Sequence, residues 1–169
     1  SDDPAKGVGR AEEKALLLPQ LQKALGPVNE SLDLVSAYFV PGEEGTKALG
    51  DMAKRGIKVR VLTNGYEATD VPAVHAGYGK RRKPLLQAGV QLYELRRLTP
   101  PYAETADNQL SHRFGSSGSS LHAKTFSVDG RRLFVGSFNF DPRSAHLNTE
   151  LGFLIDSPVL AKQLEQVMD

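Results

Sequence analysis

The stretch LHAKTFSVDGRRLFVGSFN, residues Leu121 to Asn139, holds two apolar-rich runs joined by Asp129-Gly130. Asp-Gly between such runs is a strong hairpin signal, because both residues tolerate the positive φ that a tight antiparallel connection requires. The pattern predicts strands over Leu121–Val128 and Arg132–Ser137. Side chains two apart on a strand share a face, so His122 and Lys124 project together, as do Ser137 and Asn139. Gly136 removes a side chain where a ligand or another backbone comes close. One surface then gathers an imidazole, an ammonium, a hydroxyl and a carboxamide. Those groups suit a tetrahedral phosphate, with a nucleophile or acid beside several donors to its oxygens. Taken singly they are ordinary: a lone histidine on a half-buried strand is commonly a core residue, and the turn already explains Asp129.

Working outward, Leu32–Val40 is a near-continuous apolar run ended by Pro41-Gly42, the pattern of a strand buried on both faces. A helix is expected over Gly42–Arg55, with Ala48, Leu49, Met52 and Ala53 inward and Gly56 as its stop. A second strand follows at Ile57–Thr63, before Asn64-Gly65. Strand, helix and strand with short links imply a right-handed crossover and parallel pairing. A helix over Val71–Ala88, interrupted near Pro84, leads to a strand at Val90–Leu95. Beyond the hairpin, Thr149–Ile155 reads as a strand, and Ser157 caps a closing helix that opens at Pro158. At the other end, residues 1–9 read as a loose linker. Ala11–Leu25 has helical spacing, but Pro19 interrupts it, so two short helices fit there. Residues 98–120, with Pro100-Pro101 and the serine-rich run 115–120, break the rhythm and read as a lid or a linker. The expected fold is a single α/β domain, a mixed and largely parallel sheet flanked by helices.

The 169 residues carry Lys+Arg 21 against Asp+Glu 20, and no cysteine. Without cysteine there is no disulfide framework, thiolate nucleophile or Cys-ligated zinc. The net charge of +1 exerts no global pull on nucleic acid or anionic lipid, so any such attraction is local. No window approaches the roughly 18 apolar residues of a membrane span, and no signal-peptide pattern opens the chain. The start at Ser1 leads us to expect a piece of a longer protein or a processed form.

The combined pattern His122-x-Lys124-x4-Asp129-x6-Gly136-Ser137-x-Asn139 matches, position for position, the HKD motif of the phospholipase D superfamily with its Gly-Ser-x-Asn extension. Further stretches resemble the carboxy-terminal half of bacterial cardiolipin synthases. They include Val74-His75-Ala76-Gly77-Tyr78, Leu92-Tyr93-Glu94-Leu95, Ser137 through Ser144, and Asn148-Thr149-Glu150. Asp2-Asp3-Pro4-Ala5-Lys6 resembles the connector after the first catalytic half in the C-type branch of these synthases. The resemblance implies a phosphatidyltransferase acting on phospholipid phosphodiesters. In that family one histidine attacks phosphorus to form phosphohistidine, and a histidine from a second motif protonates the leaving oxygen and activates the acceptor hydroxyl. It implies no cofactor and no metal, because Lys124 and Asn139 neutralise the phosphate oxygens. By the same likeness Ser137 is a phosphate or backbone ligand, Asp129 supports the hairpin, and Glu150 accepts a hydrogen bond from His122.

Only one such motif is present, since His75, His112 and His146 are not followed by lysine two residues on. In-line displacement needs groups on both sides of phosphorus. The expected partner is therefore a missing amino-terminal half or a second copy, with His122 as the general acid and base. The cluster Lys80-Arg81-Arg82-Lys83 reads either as the solvated face of a helix or as a site for anionic head groups. His75 and Tyr78 fit a substrate channel or the core, and Arg143 fits a phosphate contact or plain surface. The implied location is the bacterial cytoplasm or the periphery of the inner membrane. Two rival readings stay open: a homodimeric phospholipase D-like nuclease, disfavoured by the near-neutral charge, and an inert half that binds without turnover.

Overall fold

A computed structural model describes residues 1–12, 16–69, 72–96 and 120–169. Among the described residues, α-helices and strands follow one another as α1 (Leu17–Leu25), β1 (Ser31–Ser36), α2 (Gly42–Lys54), β2 (Lys58–Asn64), α3 (Pro72–Gln87), β3 (Gln91–Leu95), β4 (Lys124–Val128), β5 (Arg132–Gly136), α4 (Pro142–His146), β6 (Gly152–Asp156) and α5 (Pro158–Val167). The strands form one sheet in the order β3-β2-β1-β4-β5-β6. β1, β2 and β3 run parallel, while β4 pairs antiparallel with β1, β5 with β4, and β6 with β5. The sheet is mixed, as expected, but not largely parallel: two of its five pairings, on the β3 side, are parallel and three are antiparallel.

Alternation along the strands sorts the two faces. Leu34, Val59 and Val61 pack against Leu49 of α2 and against Tyr78 and Leu85 of α3. Val128 and Phe134 pack against Leu17, Leu21 and Leu25 of α1. The opposite face carries Asp33, whose Oδ1 lies 2.5 Å from Nε of Arg60, and Arg60 Nη1 lies 2.5 Å from Asp169 just beyond α5. Arg60 is raised above its ordinary pKa, chiefly by its hydrogen bond to Asp33, against the opposing effect of burial.

Several expectations change in detail. Leu32–Val40 forms a ladder only to Ser36, where the Ser36 hydroxyl donates to Tyr38 O (2.7 Å) and turns the chain off the sheet. Pro19 is no flaw: α1 begins at Leu17, so proline sits in the first turn, where its missing N–H would have no intrahelical partner. α3 runs through Pro84 without a break. Residues 1–9 are not a loose linker. Pro4–Val8 forms a 3-10 turn, capped by Asp3 and ended at Gly9 (φ 68°), and it is pinned to the body by buried Asp2 and Lys6. α4 was not foreseen, although Asp141-Pro142 is a cap followed by proline at the first helical position. The break at 98–119, with His112 and most of the serine-rich run, lies outside the described residues.

Candidate active site

The hairpin turn holds Asp129 at φ 53° and Gly130 at φ 56°, the signs a type I′ connection needs. The Asp129 carboxylate accepts from the N–H groups of Asn29 (3.1 Å), Glu30 (2.8 Å) and Ser31 (3.1 Å). Burial pushes this carboxyl up, and the three backbone donors outweigh it, so Asp129 stays below the usual carboxylate range. It thus ties the hairpin to the lead-in of β1, at the far end of β4 from Lys124.

That other end gathers the remaining motif residues. β1 and β2 finish there at Ser36 and Asn64, β4 starts at Lys124, β5 finishes at Gly136 and β6 starts at Gly152. The strand expected from Leu121 begins only at Lys124, so His122 lies two residues before β4, yet its Nε2 is 3.5 Å from Nζ of Lys124. The reason is a latch that sequence reading missed. The Asn64 side chain accepts from Leu121 N (2.8 Å) and donates to Leu121 O (3.0 Å) and Ala37 O (3.2 Å). A carboxamide thus replaces the sheet ladder just ahead of His122. The available signal was a polar residue closing an apolar strand, read instead as part of an Asn-Gly turn.

Asn139 is buried, and its Oδ1 accepts from Tyr38 N (3.3 Å) while its own N–H donates to the Ser144 hydroxyl (3.3 Å). With Oδ1 so occupied, the Nδ2 donors are the part of the carboxamide left for a ligand. Ser137 donates its hydroxyl proton to Glu150 and accepts from Leu151 N (3.1 Å). One expectation is corrected here and another narrowed. Glu150 is hydrogen-bonded to Ser137, not to His122. Of the two roles expected of Ser137 the structure shows the backbone one, with its hydroxyl oxygen accepting from Leu151 N and its single proton engaged by Glu150. Gly136 admits neighbouring protein and not a ligand: a Cβ there would lie 2.5 Å from Leu151 O and 2.7 Å from the Phe134 ring.

The outlying candidates divide. Exposed Arg82 pairs with Glu94 (2.9 Å) and half-buried Arg81 with Glu43 (3.1 Å), while Lys80 and Lys83 are exposed beside them. Tyr78 is core: 2% exposed, it donates to Glu94 (2.9 Å), and burial first, then that bond, pushes its hydroxyl above the ordinary tyrosine value. His75 packs edge-on between Tyr66 and Tyr78, with its Nδ1 buried and without a hydrogen-bond partner among the described residues. Arg143 is exposed on α4. A cavity of about 840 Å³ lies between α1 and α2 over Leu34 and Phe126, and no motif residue lines it.

Comparison with known proteins gives this geometry a context. A family model described as cardiolipin synthase, PLD-like domain, matches residues 17–169. Cardiolipin synthase C of Escherichia coli (strain K12) is 48% identical over 166 residues, 98% of this chain and 34% of that protein. Cardiolipin synthase A of Yersinia pseudotuberculosis is 29% identical over 165 residues, 98% of this chain and 29% of that protein. The chain spans about a third of the length of the curated relatives it matches. Among solved structures, Nuc from Salmonella typhimurium, a phospholipase D family member, aligns with a TM-score of 0.63 at 19% identity, covering 89% of this chain and 82% of that one. The phosphatidylserine synthase of Haemophilus influenzae aligns with a TM-score of 0.57 at 20% identity, covering 96% and 35%. At these identities the two structures share the fold.

Proposed function

The chain belongs to the cardiolipin synthase, phospholipase D-like domain family, and from that premise we propose that it supplies one half of a phosphatidyltransferase active site. The observation that carries this reading is the meeting of His122 and Lys124, Nζ to Nε2 3.5 Å, at the sheet edge that also holds Asn139. In the reaction, an imidazole nitrogen attacks the phosphorus of a phosphatidylglycerol. The new P–N bond forms as the P–O bond to glycerol breaks, and the departing oxygen takes a proton from the opposing imidazolium. The acceptor hydroxyl of a second phosphatidylglycerol then gives its proton to that imidazole and attacks phosphorus, and the P–N bond breaks. Glycerol and cardiolipin are the products. An imidazole titrates near pH 6.5 and so serves either role at neutral pH.

His122 takes the acid and base role, and the nucleophile comes from a companion half: the remainder of a longer two-motif chain, or a second copy of this one. Lys124 and the Nδ2 donors of Asn139 face the phosphate oxygens, where charge-assisted hydrogen bonds offset the developing negative charge. Asp129, through the hairpin, and Glu150, through Ser137, hold these groups in register. Lys80 and Lys83 suit a peripheral position on an anionic membrane, at roughly 1 kcal/mol of attraction each.

The test incubates the chain with phosphatidylglycerol vesicles, alone and together with the remainder of the longer protein, with His122→Ala as control. Cardiolipin formation that disappears in the variant is the expected result. Cleavage of single-stranded DNA without lipid turnover would replace this reading with the homodimeric nuclease. Inactivity on both substrates, even with the companion half supplied, would leave a half that binds without turnover.

A further inference from the structure

Asp2 and Lys6 are 3% and 4% exposed, and Lys6 Nζ lies 2.7 Å from Asp2 Oδ2. Taking such a pair out of water is unfavourable unless further hydrogen bonds satisfy the remaining lone pairs and protons. Here they are satisfied by the backbone of the candidate site. Asp2 accepts from Leu17 N (2.5 Å) and Glu150 N (2.8 Å), and its own N–H donates to Glu150 O (2.8 Å). Lys6 Nζ donates to Ser144 O (2.7 Å). Both backbone polar groups of Glu150, which precedes β6, are therefore held by one residue at the start of the chain.

Two hydrogen-bonded routes lead on from the pair. One passes through Glu150, whose carboxylate takes the Ser137 hydroxyl. The other passes through Ser144, whose hydroxyl accepts the Asn139 N–H and donates to Asp141 Oδ2 (3.2 Å). Asp2 and Lys6 lie outside residues 17–169, the span that matches the family. We propose that the buried Asp2–Lys6 pair is a clip that positions Glu150, Ser137 and Asn139, so that the segment preceding the family-matched domain is part of the active-site scaffold. The clip's consequence for turnover rests on the phosphatidyltransferase reading. Its geometry does not.

A buried ion pair contributes little net stability compared with a well-packed apolar replacement, but removing one partner leaves an uncompensated charge. Where such a pair is embedded in a satisfied network, its effect is to select one arrangement of the groups it touches. Asp2 and Lys6 are accordingly positioning residues: they touch no reacting atom, and they fix the backbone from which reacting groups extend.

The experiment compares the full chain with Asp2→Asn and Lys6→Met, both near-isosteric, by amide hydrogen exchange and by kinetics. In Asp2→Asn the amides of Ser137, Asn139 and Glu150 are expected to exchange about ten-fold faster or more, while Val35 and Val61 in the central strands keep wild-type rates. Unchanged exchange at the three site amides, or equal acceleration throughout the sheet, overturns the clip. In the reaction-competent protein, Asp2→Asn lowers kcat about ten-fold with KM unaltered, and the effect shrinks to less than about three-fold in a Glu150→Gln background. Equal effects in both backgrounds would show that Asp2 does not act through Glu150. If the wild type with its companion half forms no cardiolipin, the phosphatidyltransferase reading fails, and the exchange data still decide the clip.

Discussion

Asp129 combines two demands in one residue, a φ of 53° and a carboxylate facing three backbone N–H groups. Asp129→Ala removes the acceptor and places a residue poorly suited to positive φ in the turn. It should lower stability by about 2 kcal/mol, read as a reduced urea midpoint with unchanged m. Asp129→Asn should lose less, because asparagine tolerates this φ and still accepts. The pH dependence follows from the depressed carboxyls of Asp129 and Asp2. In each, burial raises the value and hydrogen bonds, to backbone donors and for Asp2 first to Lys6, lower it further. A group depressed in the folded state stabilises above its unfolded value and loses that stabilisation as pH falls through its folded value. Thermal unfolding should therefore show stability declining below about pH 4, and the gap between wild type and Asp129→Asn closing over the same window. His122, Lys124, Asn139 and Asp129 were all legible in the sequence, because a fixed spacing across one hairpin specifies them. Asn64 and the Asp2–Lys6 pair were not, since their partners lie 57 residues away for Asn64 and Leu121, and 148 for Asp2 and Glu150.

At the scale of elements, the hairpin and β6 are packed through glycine. A Cβ on Gly152 would lie 2.2 Å from the Phe134 ring, and one on Gly136 would meet Leu151 O, so β5 and β6 approach only because both positions lack side chains. Gly152→Ala should cost about 1–3 kcal/mol by overpacking, and Phe134→Leu should recover part of that loss in the double variant, measured by chemical denaturation. The latch from β2 to the start of β4 gives another prediction. Asn64→Ala leaves Leu121 N–H and O without their partners. It should cost about 1–3 kcal/mol and lower kcat by more than it raises KM, since His122 sits immediately beyond the latch. Element types were readable from local pattern: short apolar runs for strands, Asp-Gly for the turn, Ser157-Pro158 for α5. Boundaries were less so, because β1 and β4 end where side chains of Ser36 and Asn64 take over from the ladder.

For the whole molecule, the groups joined across the sheet matter most. Asp33 on β1, Arg60 on β2 and Asp169 at the end of the chain form a network in which the side chains of Arg60 and Asp33 are 2% and 0% exposed. Asp33→Ala leaves a buried guanidinium with one exposed partner and should destabilise by about 3–5 kcal/mol, whereas Asp33→Leu with Arg60→Met should be close to neutral, both read from melting curves. The sequence by itself determined the mixed α/β layering, the hairpin and the pairing of His122 with Lys124 two residues apart. Each of these follows from residue spacing within one or two neighbouring elements. Only the tertiary structure decided that residues 1–9 are anchored, that Glu150 is paired with Ser137, and that Gly136 makes room for Phe134 and β6. Those outcomes depend on which distant donors and acceptors meet once water is excluded, and that pairing is written in the register of the sheet and not in any local pattern.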